Sequence, residues 1–356
     1  MESSVLIDVV KVFVPSAVAF FLGIAGTPIL THYLYKHKMW KKRPGKETGL
    51  GGGGTPIFNK LHKERDTGTP RMGGVVIWGS ALFTVFALWA LARIFPSGIT
   101  EKLDFLSRNQ TWLPLFTLVS ASLVGLADDY FLVKGTGKYM AGGISLRFRI
   151  GIVCAIGAVG AWWFFAKLGV SAVYVPFWGD IDLGVFFIPF FIAVMLALFS
   201  GGVIDGIDGL SGGVMAVIFS AYTVIAFFHG QIDLAAFGAA VVGATLAFLW
   251  FNIPPARFYM SETGILGLTT TLTVMAFLTN AVLLLPIIAF PLLITTLSNI
   301  IQVSSKKLRG GKKVFLVAPL HHHFEALGWP PYKVVMRYWV IAVICAVIGL
   351  IIAFIG

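Results

Sequence analysis

In 356 residues, 57% apolar and only 12% charged, with a mean hydropathy of +0.87, there is too little polar surface for a water-soluble protein. The chain therefore reads as a polytopic membrane protein, and its polar stretches are too short for a second core, so residues 1–356 read as one integral domain. The net charge of +11 follows from membrane topology and contact with anionic lipid, and no nucleic-acid partner is expected.

Ten apolar runs approach the roughly 17 to 25 residues that cross a bilayer as a helix. In chain order they are 12–30, 75–95, 112–127, 150–165, 183–199, 214–228, 234–251, 265–280, 283–301 and 334–355. Asn280, Pro286 and Pro291 interrupt the stretch that holds the eighth and ninth, so nine spans is the alternative. Glu2 and Asp8 precede the first run and no convincing small-residue cleavage site follows it, so that span is expected to stay. Cys154 and Cys345 both fall within apolar runs, which points to packed or lipid-facing thiols. The glycine run 51–54 reads as a flexible loop.

Taken alternately, the loops 30–71, 128–149, 202–213, 252–262 and 304–337 hold 22 of the 27 Lys and Arg. The positive-inside tendency makes this face cytoplasmic and puts both termini outside. The clustered acidic residues lie on the same face.

Carboxylates at the mouths of membrane spans are costly and mark function. Asp128 and Asp129 end the third run. Adjacent helical positions point about 100° apart, so the two serve different partners. The plain alternative is a helix end whose acids are solvated or paired with Lys134 or Lys138. Asp205-Gly206-Ile207-Asp208-Gly209 puts two carboxylates on one face if it is helical, with glycines that let backbone approach a phosphate or sugar. Further oxygen ligands at calcium-loop intervals are missing. In Asn252-Ile253-Pro254-Pro255, through Phe258 and Tyr259 to Glu262, an extended turn and an aromatic face lead to an acid at a helix start. That acid alone is also explained by the helix dipole. His321, His322 and His323 cannot converge on one ion from a helix; hydrogen bonds to phosphates, with His323 or Glu325 structural, fit better. Lys306, Lys307, Arg309, Lys312 and Lys313 suit lipid headgroups, an anionic substrate, or simply a positive-inside loop.

From Thr69-Pro70-Arg71-Met72-Gly73-Gly74 through Asp128-Asp129, the Asp205 to Leu210 motif and Phe251-Asn252 to the final span, these residues resemble the phospho-N-acetylmuramoyl-pentapeptide transferases. That family lies in the polyprenyl-phosphate N-acetylhexosamine-1-phosphate transferase superfamily. The most discriminating residues are Gln302-Val303, then the block from Val314-Phe315-Leu316-Val317-Ala318-Pro319-Leu320 through the three histidines to Trp329, continuing to Val334 to Trp339. The resemblance implies an all-α polytopic membrane protein of about ten transmembrane helices, sited in the bacterial cytoplasmic membrane with its active site facing the cytoplasm. It implies transfer of phospho-N-acetylmuramoyl-pentapeptide from UDP to undecaprenyl phosphate with Mg²⁺, giving lipid I and UMP. By the same likeness Asp128, Asp129, Asp208, Glu262 and His321 are catalytic, and Glu262, Asp128, Asp129 and Asp208 are the metal ligands. Asp205, Gly206, Asn252, Tyr259, Gln302, His322 and Arg149 bind substrate, and a homodimer is allowed but not required.

The chain departs from the family pattern at several of these positions. Met260-Ser261-Glu262 stands where Met-Gly-Asp is usual, and Gly202 where asparagine is usual. Tyr259 replaces phenylalanine, Arg71 threonine and Arg149 lysine. Two other readings stay open: a transferase for a different UDP-N-acetylhexosamine on the same carrier, and a noncatalytic scaffold or transporter of this fold.

Overall fold

A bilayer offers no partners for backbone N–H and C=O groups, so apolar runs of this length must close their hydrogen bonds internally as helices. The computed structural model describes residues 2–42, 67–135 and 143–356. The 51–54 glycine run and Lys138 lie outside the described residues.

The long helices are α1 (Glu2–Lys36), α2 (Val75–Ile94), α4 (Trp112–Lys134), α5 (Leu146–Trp162), α6 (Phe187–Gly201), α7 (Leu210–Phe228), α8 (Ile232–Asn252), α9 (Ser261–Leu278), α11 (Phe290–Leu308) and α13 (Pro331–Ile355). Short helices are α3 (Thr100–Leu103), α10 (Leu285–Ile288) and α12 (Leu320–Ala326). A small antiparallel hairpin, β1 (Ala172–Val175) and β2 (Gly179–Asp182), joins α5 to α6. Among the described residues nine helices can cross a membrane by length and composition. A tenth span results if the bent pair Val282–Ile288 and Phe290–Leu308 is counted as one.

That pair replaces the straight ninth helix expected over 283–301. Its halves meet at 79°, because the chain breaks at Ala289 and restarts with Pro291 in the first turn of α11, where a missing N–H costs nothing. The hairpin and α12 were not foreseen, being too short to leave a periodicity.

Helices α7, α8 and α9 form the middle of the bundle. Over its most apolar stretch 89% of α9 is buried, against 17% of α1, which lies at the outside of the bundle. α8 packs on α1, α2 and α7, while α9 lies along α4. A helix as rich in threonine as α9 tolerates this position partly because three of its hydroxyls return to its own carbonyls. Thr269 donates to Ile265 (2.9 Å), Thr270 to Leu266 (2.8 Å) and Thr273 to Thr269 (3.1 Å). α4 and α9 approach to backbone contact: a Cβ on Gly125 would lie 2.1 Å from the Glu262 carbonyl oxygen. This contact sets the end of α4 beside the start of α9.

Candidate active site

One end of the bundle gathers the segment before α2, the last turns of α4, the first turn of α5, the α6–α7 connection and the start of α9. Asp129 is fully buried. Its Oδ1 accepts from Arg71 Nε at 3.1 Å, and its Oδ2 accepts from the Thr263 backbone N–H (3.0 Å) and hydroxyl (2.6 Å). Asp128, one residue away and 3% exposed, turns elsewhere. Its Oδ1 takes the Ile144 N–H and its Oδ2 lies 3.5 Å from Arg149 Nη1. The same Arg149 nitrogen donates to Glu262 Oε1. Ser145 caps α5 by accepting from Phe148 N–H at 3.4 Å, which places Arg149 in the first turn facing both acids.

The two aspartates thus serve different partners, as their spacing predicts. Those partners are Arg71 and Arg149 rather than Lys134, whose ammonium lies over the Tyr130 ring at 5.4 Å. Nor do the aspartates sit in open water at a membrane mouth, since protein encloses both.

The 205–209 segment is not helical, so Asp205 and Asp208 do not share a helix face. A single 3₁₀ turn, Gly202–Ile204, ends at Asp205, and Gly209 takes a left-handed φ of +80° that side chains disfavour. Asp205 Oδ1 accepts from the Ser211 hydroxyl (2.7 Å) and Oδ2 from the Ser261 N–H (2.9 Å). Asp208 Oδ2 instead accepts from Ala256 N–H at 3.4 Å. Burial pushes the Asp205 carboxyl up to about 6, against the pull of Ser211, Arg71 and the Ser261 amide. Burial opposes the charge on Arg71, but Asp129, Asp205 and Glu262 outweigh it and hold the guanidinium above its ordinary value.

The Asp205 shift has a sign that can be measured. Its folded value lies above its unfolded one, so folding takes up a proton between them, and this group's contribution to stability is greatest in acid. Stability should fall as pH rises from about 4 to about 6 and level off above that. Unfolding midpoints across this range should show the slope in wild type and a shallower one in Asp205→Asn. An unchanged slope would place Asp205 outside the titration.

Asn252 clamps the loop from below. Its Oδ1 accepts from Gly209 N–H (2.8 Å) and its Nδ2 donates to the Phe258 carbonyl (2.9 Å). The Tyr259 backbone pairs with Pro70 and Gly73, tying the 69–74 motif to the same stretch. Gln302 plays a parallel part farther along, with Nε2 donating to the Phe315 carbonyl (2.9 Å) and Oε1 accepting from the Val314 and Phe315 N–H groups (3.0 Å each). Both amides shape loops.

The histidines of α12 take three directions. His321 is fully buried, edge-on to His322 with centroids 4.2 Å apart. His322 Nδ1 pairs with Glu325 Oε2 at 2.7 Å, and His323 Nδ1 accepts from Leu316 N–H at 3.2 Å. A Cβ on Gly206 would fall 2.4 Å from His321 Nε2 and 2.8 Å from His322 Nε2, so this glycine is what lets the imidazoles lie against the aspartate loop. Trp329 secures α12 to α13 by stacking on Phe324 (4.8 Å, 16°) and lying under the Arg337 guanidinium at 4.2 Å.

Asp128, Asp129, Asp205, Glu262 and Arg149 therefore form one cluster, joined through Gly206 to His321 and His322 and through Asn252 to Asp208. Thr263, Ser211, Ser261 and the anchoring role of Arg71 were missed. A lone arginine in a loop and small hydroxyls beside acids carry no signal until the fold brings them together. Ser261 is costly where it stands: its φ is +57° and its buried hydroxyl has no hydrogen-bond partner. Ser261→Gly should raise stability by about 1 to 2 kcal/mol, because relief of the left-handed strain and of the orphaned hydroxyl exceeds the added chain entropy. Thermal unfolding in detergent reads this directly, and a lowered midpoint would refute it.

The fold and site define a helical membrane protein with acids and guanidiniums paired at one end of the bundle, and residues 111–280 match the model of glycosyl transferase family 4. The chain is 33% identical to the phospho-N-acetylmuramoyl-pentapeptide-transferase of Chloroflexus aggregans over 98% of its own length and 91% of the relative's. It is 35% identical to that of Anoxybacillus flavithermus (94% and 95%) and 36% to that of Borrelia garinii subsp. bavariensis (82% and 83%). It belongs to the phospho-N-acetylmuramoyl-pentapeptide-transferase family.

Proposed function

We propose that this chain transfers phospho-N-acetylmuramoyl-pentapeptide from its UDP donor to undecaprenyl phosphate, giving lipid I and UMP, in the bacterial cytoplasmic membrane and with Mg²⁺. The observation that carries the reading is the convergence of Asp128 and Glu262 on one nitrogen of Arg149, in a chain whose relatives bear that enzyme's name.

The donor set suits the metal. Among the described residues no three His, Cys, Asp or Glu side chains gather into a ready cage. Mg²⁺ takes only one or two protein carboxylates and completes its shell with phosphate and water. Asp128 and Glu262 would hold it in place of the Arg149 nitrogen they now share, within a cluster whose four carboxylates outnumber its two guanidiniums. Bound there, the ion would neutralise charge on the diphosphate.

The lipid phosphate oxygen forms a bond to the phosphorus that carries the sugar. The bond from that phosphorus to the bridging oxygen breaks, and UMP leaves with that oxygen. A phosphate monoester is substantially ionised near neutral pH, so no side chain need act as base, and catalysis is positioning and charge neutralisation. Arg149 is placed to meet the diphosphate. Asp129 fixes Thr263, and with it the start of the helix that bears Glu262. Asp208 and Asn252 hold the nucleotide loop, while His321 and His322 face the phosphates across Gly206. The basic-residue asymmetry supports a cytoplasmic site and outward termini, the side on which a nucleotide-activated donor is found.

Purified protein should release UMP only when the muramoyl-pentapeptide donor, the lipid acceptor and Mg²⁺ are all present. Release with a different UDP-N-acetylhexosamine instead would install the alternative sugar. No release with any donor would leave the scaffold reading.

A further inference from the structure

The hairpin lies at the opposite end of the bundle from the carboxylates, and its register pairs Val175 with Gly179. Pro176, Phe177 and Trp178 therefore form the tip. Its base is fastened to the protein: Val173 is 4% exposed, the Tyr174 hydroxyl donates to the Gly356 carbonyl at 2.5 Å, and the Tyr174 N–H donates to Asn280 Oδ1 at 3.3 Å. At the tip the Phe177 N–H also donates to the Gly356 carbonyl at 3.1 Å, but the side chains stay open, Phe177 69% exposed and Trp178 84%. Phe177 also holds a left-handed φ of +67°, a conformation rare for a bulky residue and retained mainly where the surroundings or function require it. Here it turns two large aromatic side chains outward together.

We propose that this tip is a membrane anchor, inserted in the interfacial layer of the bilayer that the helices span. The tip is continuous with a lipid-facing surface. Val185 and Phe186, 63% and 73% exposed, open the next candidate span, Gly184–Ile204. The preceding span ends at Lys167, whose ammonium lies over the Trp162 ring at 5.3 Å, the arrangement of a lysine reaching from an apolar stem to headgroups. The loop thus leaves and re-enters the membrane at one level, and tryptophan favours that level because its ring is apolar and its N–H polar. The partner is phospholipid at the carbonyl and headgroup depth. It holds the α5–α6 connection against the bilayer on the face away from the chemistry.

The test uses the full chain in vesicles of phosphatidylcholine and phosphatidylglycerol, with Cys154 and Cys345 replaced and one nitroxide-bearing cysteine placed at position 178, 102 or 312. At 178, relaxation by oxygen should exceed relaxation by a water-soluble nickel chelate several-fold, with the reverse at 102 on the same end and at 312 on the other. A label at 177 should repeat the result if the change at 178 disturbs the turn. Because the tip touches nothing in the site, UMP release should be unchanged in the 177 and 178 variants and reports that they are folded. A water-like profile at 177 and 178 would overturn the proposal, and so would protection from both reagents, which would mean that protein rather than lipid covers the tip.

Discussion

Asp129→Asn should cost about 3 to 5 kcal/mol of stability, the usual penalty for stripping one partner from a buried ion pair. The substitution leaves the Arg71 guanidinium facing a neutral amide. It also sets an N–H₂ group against either Arg71 Nε or the Thr263 N–H, which both donate to this carboxylate. Asp128→Asn should do something different. Its contacts are the Ile144 N–H and a longer reach to Arg149, so the fold should survive while UMP release falls about a hundredfold, as when one preorganised electrostatic group is lost. Thermal unfolding and turnover, measured on both variants, separate the neighbours. Equal loss of stability in the two, or full activity in Asp128→Asn, would defeat the assignment. Sequence reasoning alone expects both variants to fold, because it places both acids at an open mouth; the close pairing of Asp129 with Arg71 and Thr263 changes that for one of them.

Glu262 carries the second large effect. If it holds Mg²⁺ as proposed, Glu262→Gln removes a coordinating charge and should raise the magnesium requirement of UMP release strongly. Gln also weakens the grip on Arg149, so the side chain proposed to meet the diphosphate loses one of its restraints. Glu262→Asp keeps the charge, shortens the reach by one methylene, and should be milder than Gln. If the acid serves only the helix dipole, Gln costs roughly 0.3 to 1 kcal/mol of stability and leaves the magnesium titration unmoved. Superimposable titrations for wild type and Gln would remove Glu262 from the metal site.

Membrane helices were the most legible part of the molecule, because a run of apolar residues long enough to span has one way to satisfy its backbone. The break at Ala289 was only half legible. Pro286 and Pro291 announced an interruption, but the 79° turn comes from packing that a string of residues does not record. The acids were visible because a carboxylate among apolar runs is conspicuous. Their partners were not, since Arg71 and Asp129 lie 58 positions apart and Arg149 and Glu262 lie 113 apart. Asn252 and Gln302, which the resemblance makes substrate contacts, also clamp loops, a role that depends on which backbone groups come near them. The family resemblance supplied the reaction; the fold supplied who holds whom.

The contact of Gly125 with the Glu262 backbone has a consequence for how this centre can vary. Two helices that touch main chain to main chain cannot slide past one another, so the span between the anchor points of Asp128 and Glu262 is a fixed gauge. A longer or shorter acid at position 262 must then be accommodated by its own torsions, and if Glu262 holds the cation as proposed, the length of that side chain sets which cation radius is preferred. The glycine decides whether the gauge exists at all, since any bulk at position 125 would pry the helices apart before a single ligand had been altered.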